Sequence, residues 1–127
     1  MVDTTFKKEK DKLASLTASK WQKKCDKRLQ EKGRALYPCC EVCGKPMSCL
    51  HHFFPKSVSS RLRYDWDNLI PICNFCHMRH HMANDPTIHA RVIQKRGLKW
   101  YEMLLKKKYE GIKVNVAYYK YIWEMLS

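Results

Sequence analysis

Two cysteine pairs constrain this chain more than any other feature: Cys40-Glu41-Val42-Cys43 and Cys73-Asn74-Phe75-Cys76. Cys-x-x-Cys is the spacing at which one tight turn offers two thiolates to one ion, and two such turns supply the four tetrahedral positions that zinc prefers. The 29 residues between Cys43 and Cys73 exceed the usual gap of a zinc ribbon, so a segment is inserted between the two knuckles. A shared structural Zn2+ on Cys40, Cys43, Cys73 and Cys76 is the first expectation. Seven cysteines in all leave Cys25, Cys39 and Cys49 over, and these read as small buried residues.

Two rival uses of the same residues fit less of the sequence. Cys73-Asn74-Phe75-Cys76-His77 has the spacing of a c-type haem attachment, which needs an exported chain and leaves Cys40 and Cys43 unexplained. A mixed finger of Cys40, Cys43, His77 and His81 would strand Cys73 and Cys76. Phe6 runs at once into Lys7-Lys8-Glu9-Lys10, so no secretory apolar region is expected at the start. No apolar run reaches the roughly 20 residues that span a bilayer. The expected compartment is the cytoplasm, where disulfides are rare and a cysteine framework serves metal.

The formal net charge is +13, and its distribution is uneven. Residues 1–36 carry 11 Lys and Arg against 5 acids, residues 91–127 carry 9 against 3, and residues 37–90 carry 5 against 4. Basic flanks around a near-neutral, cysteine-rich centre suit phosphate contacts on either side of a chemical site. Solvated helix faces would give the same counts.

At 127 residues the chain is read as a single α+β, mainly helical domain in three zones. Residues 1–36 form a basic N-terminal helix, with Leu13, Leu16, Trp21, Cys25 and Leu29 on its inner face. Asp3 or Thr4 would cap it, Thr17–Ser19 could interrupt it, and Gly33 would end it. Residues 38–82 form the metal-bearing core, with short strands within 47–54 and 67–72 and a helix from Asn74 to about Met82. Residues 85–127 form C-terminal helices, restarted by Asn84-Asp85-Pro86 and broken at Gly97 and Gly111.

All six histidines lie between positions 51 and 89, five of them in the clusters His51-His52 and His77, His80, His81. On a helix, His77 and His81 share a face at i and i+4. The order Cys-x-x-Cys, His-His, Asn-Leu, Cys-x-x-Cys-His over about residues 38–82 resembles the HNH endonucleases, whose ββα-metal core holds one catalytic divalent ion. More narrowly, His51-His52-Phe53-Phe54, Arg63-Tyr64-Asp65, Asn68 and Cys76-His77 resemble the phage NinG/Rap recombination endonucleases. The resemblance implies a metal-dependent endonuclease that hydrolyses DNA, encoded by a bacteriophage, working in the host cytoplasm and acting on branched recombination intermediates.

By that resemblance His51 and His77 are ligands of the catalytic ion, which would be Mg2+ or Mn2+, and His52 is the general base. His81 is the third ligand, unless Asn68 takes that place; otherwise Asn68 orients His52 across the loop. His80 is expected to point elsewhere. Lys56, Arg61 and Arg63 in the loop, and Arg79 on the helix, are candidate phosphate contacts or ordinary solubilising charges. The partner would be DNA, and a two-fold branched substrate would suit a dimer. A non-catalytic zinc module that binds nucleic acid is the alternative. A structural role in phage assembly, through the tyrosine-rich C-terminal helix, is a further one.

Overall fold

The computed structural model describes residues 16–127. The predicted helix over 4–15, with Asp3 or Thr4 as cap, lies outside the described residues. Helix α1 spans Ala18–Leu36, and Thr17 caps it by accepting the Lys20 amide at its Oγ1, 3.3 Å away. The helix runs through Gly33 and stops just before Tyr37-Pro38, where the residue ahead of proline is pushed from helical geometry. Gly33 is a packing residue and not a stop: a Cβ there would lie 2.3 Å from Leu50 Cδ1.

The described residues fall into two compact units. One holds those up to Arg28 with Val114–Ser127, and the other is Leu29–Lys113. The first unit pairs the front of α1 with the closing helix Val116–Met125, which Asn115 caps through the Tyr118 amide. Trp21 meets Trp123 edge-on at 6.1 Å, and the Cys25 thiol donates to the Tyr119 carbonyl at 3.3 Å. Arg28 donates to the Trp123 carbonyl at 2.8 Å and lies over its ring. Burial pushes the Cys25 thiol up to about 11, so it behaves as a small apolar core residue.

The second unit carries the sulfur and histidine clusters. Strand β1 (Cys49–His52) pairs antiparallel with β2 (Leu69–Ile72), setting His51 opposite Ile70 and His52 opposite Leu69. The Gln30 side chain pairs with the Leu50 backbone, its amide nitrogen donating to the carbonyl at 3.0 Å and its oxygen accepting the N–H at 2.8 Å. A glutamine thereby covers an edge that would otherwise present unpaired backbone groups. Helix α2 (Asn74–Met82) follows β2, and Cys73 caps it, its Sγ accepting the Cys76 amide. Helices α3 (Thr87–Arg96) and α4 (Leu98–Lys108) complete the unit, with Gly97 at φ 99° making the turn between them. The closing helix is numbered α5.

All four residues of β2 are buried. One side of the core joins Cys40, Ile72, Cys73, Cys76 and Ile88, and the other joins Phe53, Leu62, Ile70, Val92 and Leu104. Each fully buried Leu, Ile or Val contributes about 1.5–3 kcal/mol relative to an exposed one. Arg96 braces this core from α3. It holds the Glu41 carboxylate through two 2.7 Å bonds and donates to the Asp67 and Leu69 carbonyls at 3.0 Å each. The first cysteine turn, the loop before β2 and α3 are thus locked by one guanidinium. Among the described residues, no helix is long and apolar enough to cross a membrane.

Candidate metal centres and active site

The two cysteine turns meet. Between Cys40 and Gly44 the chain folds back, with the Gly44 amide donating to the Cys40 carbonyl and Gly44 itself at φ 79°. The second pair sits at the start of α2, where Cys73 caps and Cys76 lies in the first turn. The sulfurs of Cys40, Cys43, Cys73 and Cys76 all lie within 4.8 Å of one another, and Cys43 and Cys73 are 3.5 Å apart. Sulfurs on one tetrahedral zinc with 2.3 Å bonds would be about 3.8 Å apart, so the donor set and its spacing fit that ion. Burial, then the neighbouring sulfurs, push the Cys76 thiol far up. A cation at the centre is what reverses that order and stabilises thiolates.

The second cluster is made of imidazoles. His51, from β1, is buried, and the rings of His77, His80 and His81 from α2 and His89 from α3 all lie within 5.2 Å of its ring. Two sets of three could each hold one ion: His51 with His77 and His81, and His51 with His80 and His89. Burial, then His89 and the three α2 histidines, hold His51 down at about 2. Burial and its neighbours hold His89 at about 4, and lower His77 and His80 as well. All four are therefore neutral at pH 7, with lone pairs available to a metal. Cys49 Sγ lies 3.5 Å from His77 Nδ1, which leaves Nε2 as the nitrogen directed elsewhere. These side chains line a pocket of about 420 Å3, and none of the residues lining it is Asp or Glu.

His52 lines the same pocket. Its Nε2 lies 2.8 Å from the Arg63 carbonyl, an oxygen that can only accept, so Nε2 carries the proton and Nδ1 the lone pair. Asn68 is fully buried. Its amide nitrogen donates to the Phe54 and Leu62 carbonyls at 3.0 and 3.1 Å, and its oxygen accepts the Phe54 N–H at 2.8 Å. With those bonds made, Asn68 faces the loop backbone and not the imidazole cluster. It fixes the turn that carries the Arg63 carbonyl.

Several positions differ from the sequence expectation. His80 belongs to the imidazole cluster, its ring 4.9 Å from that of His51, because i+3 shares a helix face with i as i+4 does. His89, which stands apart from the other five histidines in sequence, also joins the cluster, carried there by α3. The signal available was its place beside Ile88, at the edge of that helix's inner face. Among the basic candidates, Lys56 is exposed at the pocket. Arg61 is paired with Asp65 and Glu110, each at 3.1 Å, and Arg79 with Asp85. Arg63 serves His52 through its backbone.

Residues 40–82 match the HNH endonuclease family model, a third of the chain, and that match supports nuclease or nucleic-acid-binding activity with a divalent metal. The chain is also similar to a protein of Sarcophyton glaucum named mitochondrial DNA mismatch repair protein mutS homolog. That pair is 39% identical over 46 residues, which cover 33% of this chain and 5% of that protein's length. No solved structure matches.

Proposed function

We propose that this chain is a metal-dependent HNH endonuclease that hydrolyses DNA phosphodiester bonds from a ββα-metal core made of β1, β2 and α2. The observation that carries this reading is the bond from His52 Nε2 to the Arg63 carbonyl, beside a cluster of metal-competent imidazoles. It puts a lone pair on Nδ1 in the residue next to His51. An imidazole in that tautomer can accept a proton at Nδ1, which is what a general base requires.

His51, His77 and His81 are the proposed ligands of the catalytic ion. Bound there, a divalent cation would polarise the scissile phosphate and offset charge on the leaving oxygen. His52 Nδ1 takes a proton from the attacking water as its oxygen bonds to phosphorus. The bond from phosphorus to the leaving oxygen breaks, and that oxygen departs as a hydroxyl after gaining a proton from solvent. Asn68 is a positioning residue, acting through the loop that holds His52. Lys56, at the pocket, is the proposed contact to an adjacent phosphate; Arg61 and Arg79 are already engaged in ion pairs. A purely imidazole donor set favours Co2+, Ni2+ or Zn2+ over Mg2+ and Mn2+, which suit oxygen ligands. Zn2+ on the four cysteines is the structural ion.

The resemblance of His51-His52-Phe53-Phe54, Arg63-Tyr64-Asp65 and Asn68 to NinG/Rap proteins makes branched recombination intermediates, in a phage setting, the proposed substrate class. The test is cleavage of linear duplex, supercoiled plasmid and four-way junction side by side, with each divalent ion. Preferential junction cutting is expected. Binding without cutting under every ion would replace this reading with a zinc-stabilised nucleic-acid-binding module.

A further inference from the structure

Two members of the imidazole cluster take no part in the proposed chemistry, and both face His51. His89 brings its Nε2 to 2.9 Å from His51 Nε2. Its ring is held on one side by Phe53, stacked at 4.2 Å, and on the other by His80, stacked at 4.0 Å. The ligand atoms of His51, His80 and His89 lie within 4.8 Å of one another, the same closeness found for His51, His77 and His81. Nitrogens bound to one ion at about 2.0–2.1 Å sit about 3.0 Å apart when cis in an octahedron and about 3.4 Å apart in a tetrahedron. Without an ion, the same 2.9 Å separation suits an N–H···N hydrogen bond between the two rings.

We propose that His51, His80 and His89 form a second seat for a borderline divalent transition ion, overlapping the His51–His77–His81 seat through the shared imidazole of His51. Because His51 is common, an ion that uses it in one seat withdraws it from the other. All three donors are imidazole nitrogens, and none of the pocket's lining residues is a carboxylate that would favour a hard ion. His89 lies on α3, outside residues 40–82, so this seat is no part of the family match. Metal binding there needs no nucleic acid, and it stands whether or not the chain cuts DNA.

The full chain, with zinc on its cysteines, is titrated with Co2+ and followed by the visible absorption of cobalt. Thiolate-to-cobalt charge transfer in the near ultraviolet reports any exchange at the sulfur site. The variants are His77→Ala/His81→Ala, the same pair as His77→Gln/His81→Gln, His80→Ala/His89→Ala, and His77→Ala/His81→Ala/His89→Ala. Zinc content and the thermal transition check folding in each. Each double variant is expected to bind one Co2+, with a band shape different from wild type, and the triple variant to lose the band. A folded His77/His81 variant that binds no Co2+ overturns the second seat. So does a His80→Ala/His89→Ala protein whose Co2+ spectrum and affinity equal those of wild type. Neither result bears on nuclease activity, which is read separately.

Discussion

Asn68 and Phe54 are joined by a reciprocal pair of hydrogen bonds, 3.0 Å from the Asn68 amide to the Phe54 carbonyl and 2.8 Å from the Phe54 N–H to the Asn68 oxygen. A third bond, to the Leu62 carbonyl, ties the same side chain to the turn whose next carbonyl, that of Arg63, receives His52. One buried amide therefore fixes both ends of the loop and, through it, the tautomer of the proposed base. That is a mechanical role, and it separates Asn68 from the residues that would touch phosphate.

Asn68→Ala leaves backbone groups unpaired in a buried place and is expected to cost on the order of 1–3 kcal/mol of stability. Cleavage should fall through kcat more than KM, because His52 loses its support while the phosphate contacts stay. Denaturant unfolding and steady-state kinetics read the two effects. An Asn68→Ala protein of unchanged kcat would remove Asn68 from the positioning of His52.

His52→Ala is expected to lower cleavage by about 10²–10⁴-fold, the usual range for a general base. DNA affinity and the thermal transition should stay near wild type. Partial rescue by added imidazole would mark the lost group as a proton acceptor. Cutting at the wild-type rate would sink the assignment.

The sulfur site has two roles that one substitution can separate. Cys73 caps α2 and also stands in the four-sulfur cluster. Serine is a good cap but not a thiolate, so Cys73→Ser keeps the first role and loses the second. Structural zinc supplies folding free energy directly. Both Cys73→Ser and Cys73→Ala are therefore expected to lose zinc and to melt without a cooperative transition. A zinc-free Cys73→Ser protein that folded normally would assign Cys73 to capping alone.

Gly33→Ala tests the contact between α1 and β1. Alanine raises helix propensity by about 1 kcal/mol over glycine, but here its Cβ would meet Leu50 at 2.3 Å. Overpacking of this kind costs about 1–3 kcal/mol, so the net change is expected to be destabilising. Leu50→Val in the same chain should recover part of the loss, and a double-mutant cycle measures the coupling. A more stable Gly33→Ala protein would show that Leu50 yields freely.

The cysteine turns, the short strands, α2 and the helix restart after Asp85 are legible because local chemistry sets them: thiol spacing, short apolar runs, Pro and Gly punctuation. Gly33 looks like a stop in the sequence because a helix-ending glycine and a glycine beneath a leucine are alike until Leu50 is in place. His80 was set aside although its i+3 relation to His77 was available in the sequence. His89 depended on α3 folding back toward β1, a long-range relation that no local pattern records. Arg61 and Arg79 looked free for phosphate because their acidic partners, Asp65, Glu110 and Asp85, are known as partners only once the loops and helices are placed.

The choice of ion for the proposed catalytic seat turns on the donors around His51. The resemblance points to Mg2+ or Mn2+ and leaves other divalent ions open, and the structure surrounds His51 with four more imidazoles, with no carboxylate among the residues lining the pocket. Mg2+ holds its water tightly and takes oxygen ligands, while imidazole suits later first-row ions. Protein stripped of metal at the histidines by a mild chelator, with cysteine-bound zinc retained, is expected to recover cleavage with Co2+, Ni2+ or Zn2+ at micromolar levels. Mg2+ should restore it only at much higher concentration. Equal recovery with Mg2+ at the same level would mean that phosphate and water oxygens, not the imidazoles, dominate the ion's shell.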